Sequence, residues 1–199
     1  MWNHPAVRGE LDTVTQLADA SDEDLLLRMI RGDEAAFTVL YRRRQGALYR
    51  FAMRMCGRTS IAEEVVQETF LVLIRDGGRW DASRGTVATW LFGVARNQAL
   101  RCIDRDGRYA PEEPEMEPVS GEDVFDDLSR AENGEVLRQS LLSLPPHYRE
   151  VAVMCDMDEM SYAEAAQALG CPVGTVRSRL SRAREMLAEK MRARMGCSL

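Results

Sequence analysis

The sequence predicts an all-α protein of two small helical domains joined by an acidic flexible linker. Three observations carry this. Ala, Leu, Met, Glu and Arg recur with helical spacing, while strand signals are nearly absent. Helix-start and helix-stop residues punctuate the chain repeatedly. Between two such series, Pro111, Pro114 and Pro118 stand among many acids with few large apolar side chains, a composition that cannot offset its own ordering entropy. The expected division is a loose lead-in over 1–20, a first domain over 21–106, the linker over 107–127 and a second domain over 128–199. A chain of 199 residues has room for this.

The first helix starts at Ser21-Asp22-Glu23-Asp24 and stops at Gly32. Asp33 caps a long amphipathic helix whose apolar residues Phe37, Leu40, Tyr41, Leu48, Phe51 and Met55 lead to Gly57. Ser60 and Glu63 have capping-box spacing and open a third helix to about Arg75, which Gly77-Gly78 breaks. Val65, Val66, Thr69, Phe70 and Leu73 can face inward on it, leaving Glu64, Gln67 and Glu68 as an acidic, hydrogen-bonding patch. That patch is either an ordinary solvated face or a docking surface for a partner's basic helix.

Trp80 to Gly85 reads as an ordered loop, and a fourth helix runs from about Val87 to Arg105. Leu91, Phe92, Ala95, Ala99 and Ile103 share its core side. Trp90, Asn97, Arg101 and Arg105 fall on the other, within roughly 80°. An aromatic face aligned with an amide and guanidiniums suits single-stranded nucleic acid, which offers bases to stack and phosphates to neutralise. Trp80, Ser83, Arg84 and Thr86 in the preceding loop could hold a base drawn out of the stack. A half-buried packing tryptophan fits the Trp90 pattern equally well.

Helical periodicity returns from about Leu128 through Val136, Leu137, Leu141 and Leu142 and breaks at Pro145-Pro146. A helix from about His147 to Met157 follows. Ser161 and Glu164 then form a capping box, Gly170 stops the helix they start, and Cys171-Pro172 turns the chain into a helix crowded with arginine. This is the order of parts of a helix-turn-helix. In the last helix Val173, Val176, Leu180, Ala183 and Leu187 fall within roughly 80° and form its packing stripe. The opposite side carries Thr175, Ser178, Arg179, Ser181 and Arg182, with Arg177 and Arg184 flanking the stripe. Arginine can fork onto guanine or phosphate, and serine and threonine can reach either. A solvated basic face would account for the arginines alone. The capped first helix, glycine stop and basic second helix together argue for DNA.

The net charge of −6 is unevenly placed. From Arg177 to Arg194 there are seven Lys/Arg against two acids, whereas Tyr109 to Glu135 holds ten acids against one Arg. Local charge decides what a surface attracts. The five cysteines form no CxxC pair, so neither zinc nor a disulfide framework is expected, and buried free thiols in a reducing compartment are. His4 and His147 have no Cys or Asp partner at a recognisable spacing. No catalytic constellation, metal site or cofactor is expected, and the protein reads as a non-enzyme. No apolar run approaches the ~18 residues that span a bilayer, and the N-terminus lacks the regions of a signal peptide. The expected location is cytoplasmic, without membrane insertion. On these residues alone two readings stand: a helix-turn-helix regulator that acts by binding DNA, and an interaction module whose basic helix binds an acidic protein.

Six segments in sequence resemble the extracytoplasmic-function (ECF) class of bacterial sigma factors, of the sigma-70 family. They are Gly32 to Phe37 with Leu40-Tyr41, Ala62 to Phe70, Trp80 to Gly85, Thr89 to Asn97, Leu144 to Arg149 and Gly174 to Arg184. The resemblance implies a non-enzymatic initiation factor that binds core RNA polymerase and promoter DNA. It implies that Glu64, Gln67 and Glu68 meet the β′ clamp helices, with the β flap as a further polymerase contact. Trp80, Ser83, Arg84, Thr86, Trp90, Asn97, Arg101 and Arg105 would meet the melted −10 strand. Arg177, Ser178, Ser181 and Arg182 would reach −35 base edges, with Thr175, Arg179 and Arg184 near phosphates. The acidic linker would thread the polymerase's basic channel, unless it is a mere spacer. An anti-sigma factor is the implied regulatory partner.

Overall fold

The computed structural model describes residues 17, 19–106 and 126–196. Among these the chain forms eight α-helices and no strand. We number them α1 (Asp22–Ile30), α2 (Glu34–Cys56), α3 (Thr59–Asp76), α4 (Val87–Asp106), α5 (Asp126–Leu142), α6 (Pro146–Ala152), α7 (Tyr162–Leu169) and α8 (Val173–Gly196). Nearly all of the expected lead-in, and the linker up to residue 125, lie outside the described residues, as do His4 and Cys197.

Local chemistry sets most helix ends. The Ser21 hydroxyl accepts from the Asp24 amide at 3.1 Å and Asp33 Oδ1 from the Ala36 amide at 3.1 Å, so both cap as expected. Gly57 (φ 74°) and Gly170 (φ 62°) end α2 and α7 in the left-handed conformation, where a side chain is strained. The Ser161–Glu164 capping box is complete: each side chain satisfies the other's backbone amide, at 3.2 and 2.8 Å.

Three local expectations fail. α3 begins at Thr59 behind Arg58, so Ser60 already lies inside the first turn and makes no capping box with Glu63. The helix expected over 147–157 is α for only part of that span, since Val153–Met157 widens into a π-turn that delivers the chain to Glu159 (φ 56°). Val173 is 37% exposed, so the packing stripe of α8 starts at Val176. Among the described cysteines only Cys102 is buried. Cys56, Cys155 and Cys171 are partly exposed, which narrows the expectation of buried thiols to one.

The first four helices share a core: α2 packs on α1, α3 and α4, and α3 also on α4. Phe51 is fully buried and meets Phe92 edge-on with ring centres 5.5 Å apart, while Tyr41 and Phe70 pack at 4.6 Å. Beneath them buried Asp22 holds Arg43 at 2.8 Å and Arg44, fixing α1 to α2. The later helices gather on α8, which receives α5, α6 and α7. Val176, Leu180 and Ala183 of α8 are buried, as are Ala165 and Ala166 of α7.

The two helical groups also pack on each other. The end of α2 packs on α5, α6 and the π-turn, and α4 packs on α7. Buried Arg149 donates to the backbone carbonyls of Met55, Leu142 and Leu144, the last at 3.0 Å, and so satisfies an end group of α2 from α6. Burial pushes the pKa of its guanidinium below the ordinary arginine value. A Cβ on Gly57 would lie 2.6 Å from Leu142 Cδ1, so the turn after α2 is closed against α5.

The two serines make a test of the helix starts. Ser161→Ala should cost about 1 kcal/mol of unfolding free energy, whereas Ser60→Ala should stay within about 0.5 kcal/mol. Urea denaturation of the two variants measures the difference; equal losses would place a cap at Ser60 after all.

Candidate nucleic-acid interface

The loop before α4 is tied down by its own polar groups. Asp81 Oδ1 accepts from the Ser83 hydroxyl at 2.8 Å and the Ser83 amide at 2.9 Å, closing a short 3-10 turn over Ala82–Arg84. These bonds, the hydroxyl first, hold the Asp81 carboxyl below its usual pKa. Trp80 Nε1 donates to the Gly85 carbonyl at 3.1 Å, which folds the indole back over the loop. Thr86 Oγ1 accepts from the Thr89 amide at 3.1 Å, a capping contact at the start of α4, and Glu23 Oε1 accepts from the Val87 amide at 3.2 Å.

Between this loop and α4 lies a cavity of about 240 Å³. Trp80, Arg84, Trp90 and Asn97 line it together, so four of the expected strand-reading residues converge on one concave site. Both indoles are partly buried, and Arg84, Asn97, Ser83 and Thr86 are exposed residues. Arg79, Asp81 and Thr89 also line the cavity, beyond the residues that the sequence pattern selects. Arg79 and Asp81 flank Trp80 in a loop whose composition reads as ordered, and that adjacency is the signal that could have found them.

Arg101 and Arg105 lie further along α4, off this cavity. Arg101 is exposed and donates to Gln98 Oε1 at 3.4 Å. Arg105 forks onto Glu64 through two bonds of 2.8 Å and keeps that carboxyl below its usual pKa. This splits the acidic patch. Glu64 and Glu68 border a shallow pocket beside α4, whereas Gln67 borders a larger groove between α2 and α3 with Phe37, Tyr41, Tyr49, Phe70 and Leu71. Leu71 and Ile74, 48% and 58% exposed, stand on the rim of that groove. Their spacing from Gln67, at i+4 and i+7, is the signal that would have revealed this apolar face.

The helix-turn-helix presents the second surface. Arg177 lies over the Tyr162 ring with its guanidinium carbon 5.8 Å from the centre, Ser178 donates to the Thr175 carbonyl at 3.1 Å, and Ser181 is exposed. Arg182 reaches Glu185 at 3.0 Å with both side chains more than half exposed. Arg184 forks onto Asp156 at 3.0 and 2.6 Å, which raises its already high pKa. Water screens such surface pairs, so they yield readily to a phosphate. Arg179 differs. It lies 3.5 Å from Glu150, whose side chain is fully buried and also accepts from Arg96 of α4 at 2.8 and 3.3 Å. A buried carboxylate needs its cations, so Arg179 serves the fold first.

Among the described residues no group of three His, Cys, Asp or Glu is placed to hold a metal ion, and no helix is long and apolar enough to cross a membrane.

Two family models match the chain. The family model described as Sigma-70 region 2 matches residues 40–109, and the one described as Sigma-70, region 4 matches 134–187. The chain is 34% identical over 184 residues to the ECF RNA polymerase sigma-E factor of Escherichia coli (strain K12), a match covering 86% of this chain and 94% of that one. It is 29% identical over 180 residues to the ECF RNA polymerase sigma factor RpoE of Cereibacter sphaeroides, covering 89% and 99%. With the ECF RNA polymerase sigma factor SigE of Mycolicibacterium smegmatis it shares 34% identity over 165 residues, spanning 79% of this chain and 63% of that relative. Among solved structures, CnrH in complex with the cytosolic domain of CnrY is similar with a TM-score of 0.66 at 28% identity, covering 86% of this chain and 97% of that one. The sigma factor RpoE in complex with the anti-sigma factor NepR from Bartonella quintana gives 0.59 at 26%, covering 74% and 91%.

The two kinds of arginine should separate on substitution. Arg184→Gln should change unfolding free energy by less than about 1 kcal/mol, and Arg179→Gln, which uncovers part of a buried carboxylate, should cost about 1–3 kcal/mol. Guanidinium unfolding curves at matched salt give both numbers, and equal costs would remove the structural role assigned to Arg179.

Proposed function

The chain belongs to the ECF class of RNA polymerase sigma factors, and from that membership we propose that three of its surfaces divide the work of promoter-specific initiation. The observation that carries this is the convergence of Trp80, Arg84, Trp90 and Asn97 on one cavity, on a different element from the basic helix α8. The cavity and the face of α4 beyond it receive the melted −10 strand: the indoles stack on a base, Asn97 bonds a base edge, and Arg84, Arg101 and Arg105 follow phosphates. Ser83 and Thr86 border the base's entry. In the −35 major groove Arg177, Ser178, Ser181 and Arg182 face base edges, and Thr175, Arg179 and Arg184 lie near the backbone.

Core polymerase docks at α3. Gln67 and the apolar rim of Leu71 and Ile74 suit a helical partner laid along the α2–α3 groove, with Glu64 and Glu68 supplying acid beside it. A partner like NepR or the cytosolic domain of CnrY, which accompany the similar structures, would hold this chain inactive. Promoter DNA and polymerase place the work in the cytoplasm.

Reconstitution with core RNA polymerase on a genomic promoter library tests the whole reading. Promoter-dependent transcripts are expected, and their absence from every template would leave a DNA-binding regulator that never joins polymerase. On a cognate template Arg182→Ala should cost about 1–3 kcal/mol at one −35 base pair, in a gel-shift series over all four bases. Trp90→Ala should cost a similar amount in binding of the melted strand, with duplex −35 binding unchanged.

A further inference from the structure

The cavity between the Trp80 loop and α4 has a chemistry that a single nucleotide matches part by part. Trp80 and Trp90 give it two partly buried indoles. Asn97 of α4 and Gln167 of α7 bring two carboxamides to the same lining, both on exposed residues. Arg79 and Arg84 add two exposed guanidiniums, and Asp81 adds a carboxylate. Gln167 stands close against the loop: a Cβ on Gly85 would lie 2.7 Å from its Oε1, and one on Gly93 would lie 3.0 Å from the carbonyl oxygen of the next residue, Ala168. Glycine at both positions lets the Gln167 amide reach the cavity wall.

These polar groups keep capacity for a ligand. Asn97 Oδ1 accepts from Arg96 at 3.1 Å, and the amide nitrogen of a carboxamide carries two donors besides. Asp81 uses Oδ1 for Ser83. Arg79 pairs with Asp76 at 3.3 Å while its own side chain is 84% exposed, a pair that water screens and a phosphate can replace. Trp80 by contrast commits its one donor, Nε1, to the Gly85 carbonyl, so it offers a ligand its ring and no hydrogen bond. At about 240 Å³ the space is smaller than the roughly 300–1,000 Å³ of pockets for drug-sized ligands, so it suits one base with its sugar and not two.

We infer that this cavity is a binding site for a free adenine mononucleotide. The base lies against the indoles, the phosphate meets Arg79 and Arg84, and Asp81 accepts from the ribose hydroxyls. Adenine is selected because a carboxamide accepts from its N6 amine and donates to its N7, whereas the O6 and N7 of guanine suit arginine. A free nucleotide has a single phosphate to place, and the exposed arginines are where it goes. The site would stand even if the melted strand bound elsewhere on α4, since Arg79, Asp81 and Gln167 have no part in the strand reading. Where both bind, nucleotide and strand share Trp80 and Trp90 and therefore compete.

Equilibrium dialysis of the full-length protein against radiolabelled AMP, GMP, CMP and UMP tests the site. AMP should be retained, and the other three should bind about tenfold or more weakly. No retention of AMP, or equal affinity for all four, would overturn the proposal. Gln167→Ala and Trp90→Ala should each weaken AMP about tenfold or more, with circular dichroism checking that helix content is kept. Because Gln167 is exposed, its variant keeps the test decisive should Trp90→Ala fail to fold, and AMP affinity unchanged in Gln167→Ala would put the ligand elsewhere and overturn the site. Strand binding by Trp90→Ala separates the two readings. AMP lost with the strand still bound leaves the nucleotide site standing and removes the strand site, whereas a strand that needs Trp90 in a chain that retains no AMP does the reverse.

Discussion

A single buried carboxylate organises this molecule. Glu150 has no exposure, and an isolated charge in that position would cost several kcal/mol. Arg96 arrives from α4 and Arg179 from α8, so three helices that are distant in sequence must meet at one point. α4 carries the tryptophan that lines the cavity, and α8 carries the arginine-rich face. The position of each surface therefore depends on the same acid. Arg149, the residue before it, extends the constraint by binding the Met55 carbonyl at the end of α2.

The arginines of α8 show how one composition can hold different roles. Arg182 and Arg184 sit in pairs that water screens, and exchanging a carboxylate for a phosphate there requires little reorganisation. Arg179 faces a carboxylate with no access to water, and leaving it would strand a charge. Arg105 faces Glu64 across the gap between α4 and α3, both about half exposed, and so links the face proposed for the strand to the one proposed for polymerase. A guanidinium's availability to DNA is set by the burial of its intramolecular partner rather than by its own exposure.

What was legible in the sequence was local. Ser21, Asp33, Gly57, Ser161 and Gly170 act within a turn or two of themselves, and their spacing suffices to place helix ends. The buried faces of α3 and α4 followed from angular position, and Val65, Val66, Phe70, Leu91, Ala95 and Ala99 are indeed buried. Ser60 misled because a Ser-x-x-Glu spacing is also satisfied one residue inside a helix, where the hydroxyl has no free amide to accept from. The π-turn after α6 leaves no periodic trace. Pairs such as Arg96–Glu150 and Arg54–Asp158 join residues more than fifty positions apart, and the charge pattern of either helix alone reads as ordinary surface. A chain read as two domains on a tether thus has an internal seam that periodicity could not show.

That seam bears on how an initiation factor of this kind can be controlled. A ligand shifts a two-state equilibrium only by its differential affinity for the two states. In this arrangement the α2–α3 groove and the outer face of α8 are accessible, whereas Gln167 and Ala168 of α7 wall the cavity that Trp80 and Trp90 line. A partner that grips both halves at once would favour this arrangement without touching the cavity itself. A bias at the seam would therefore act on how α4, α6 and α8 meet at Glu150, with their exposed faces themselves unchanged.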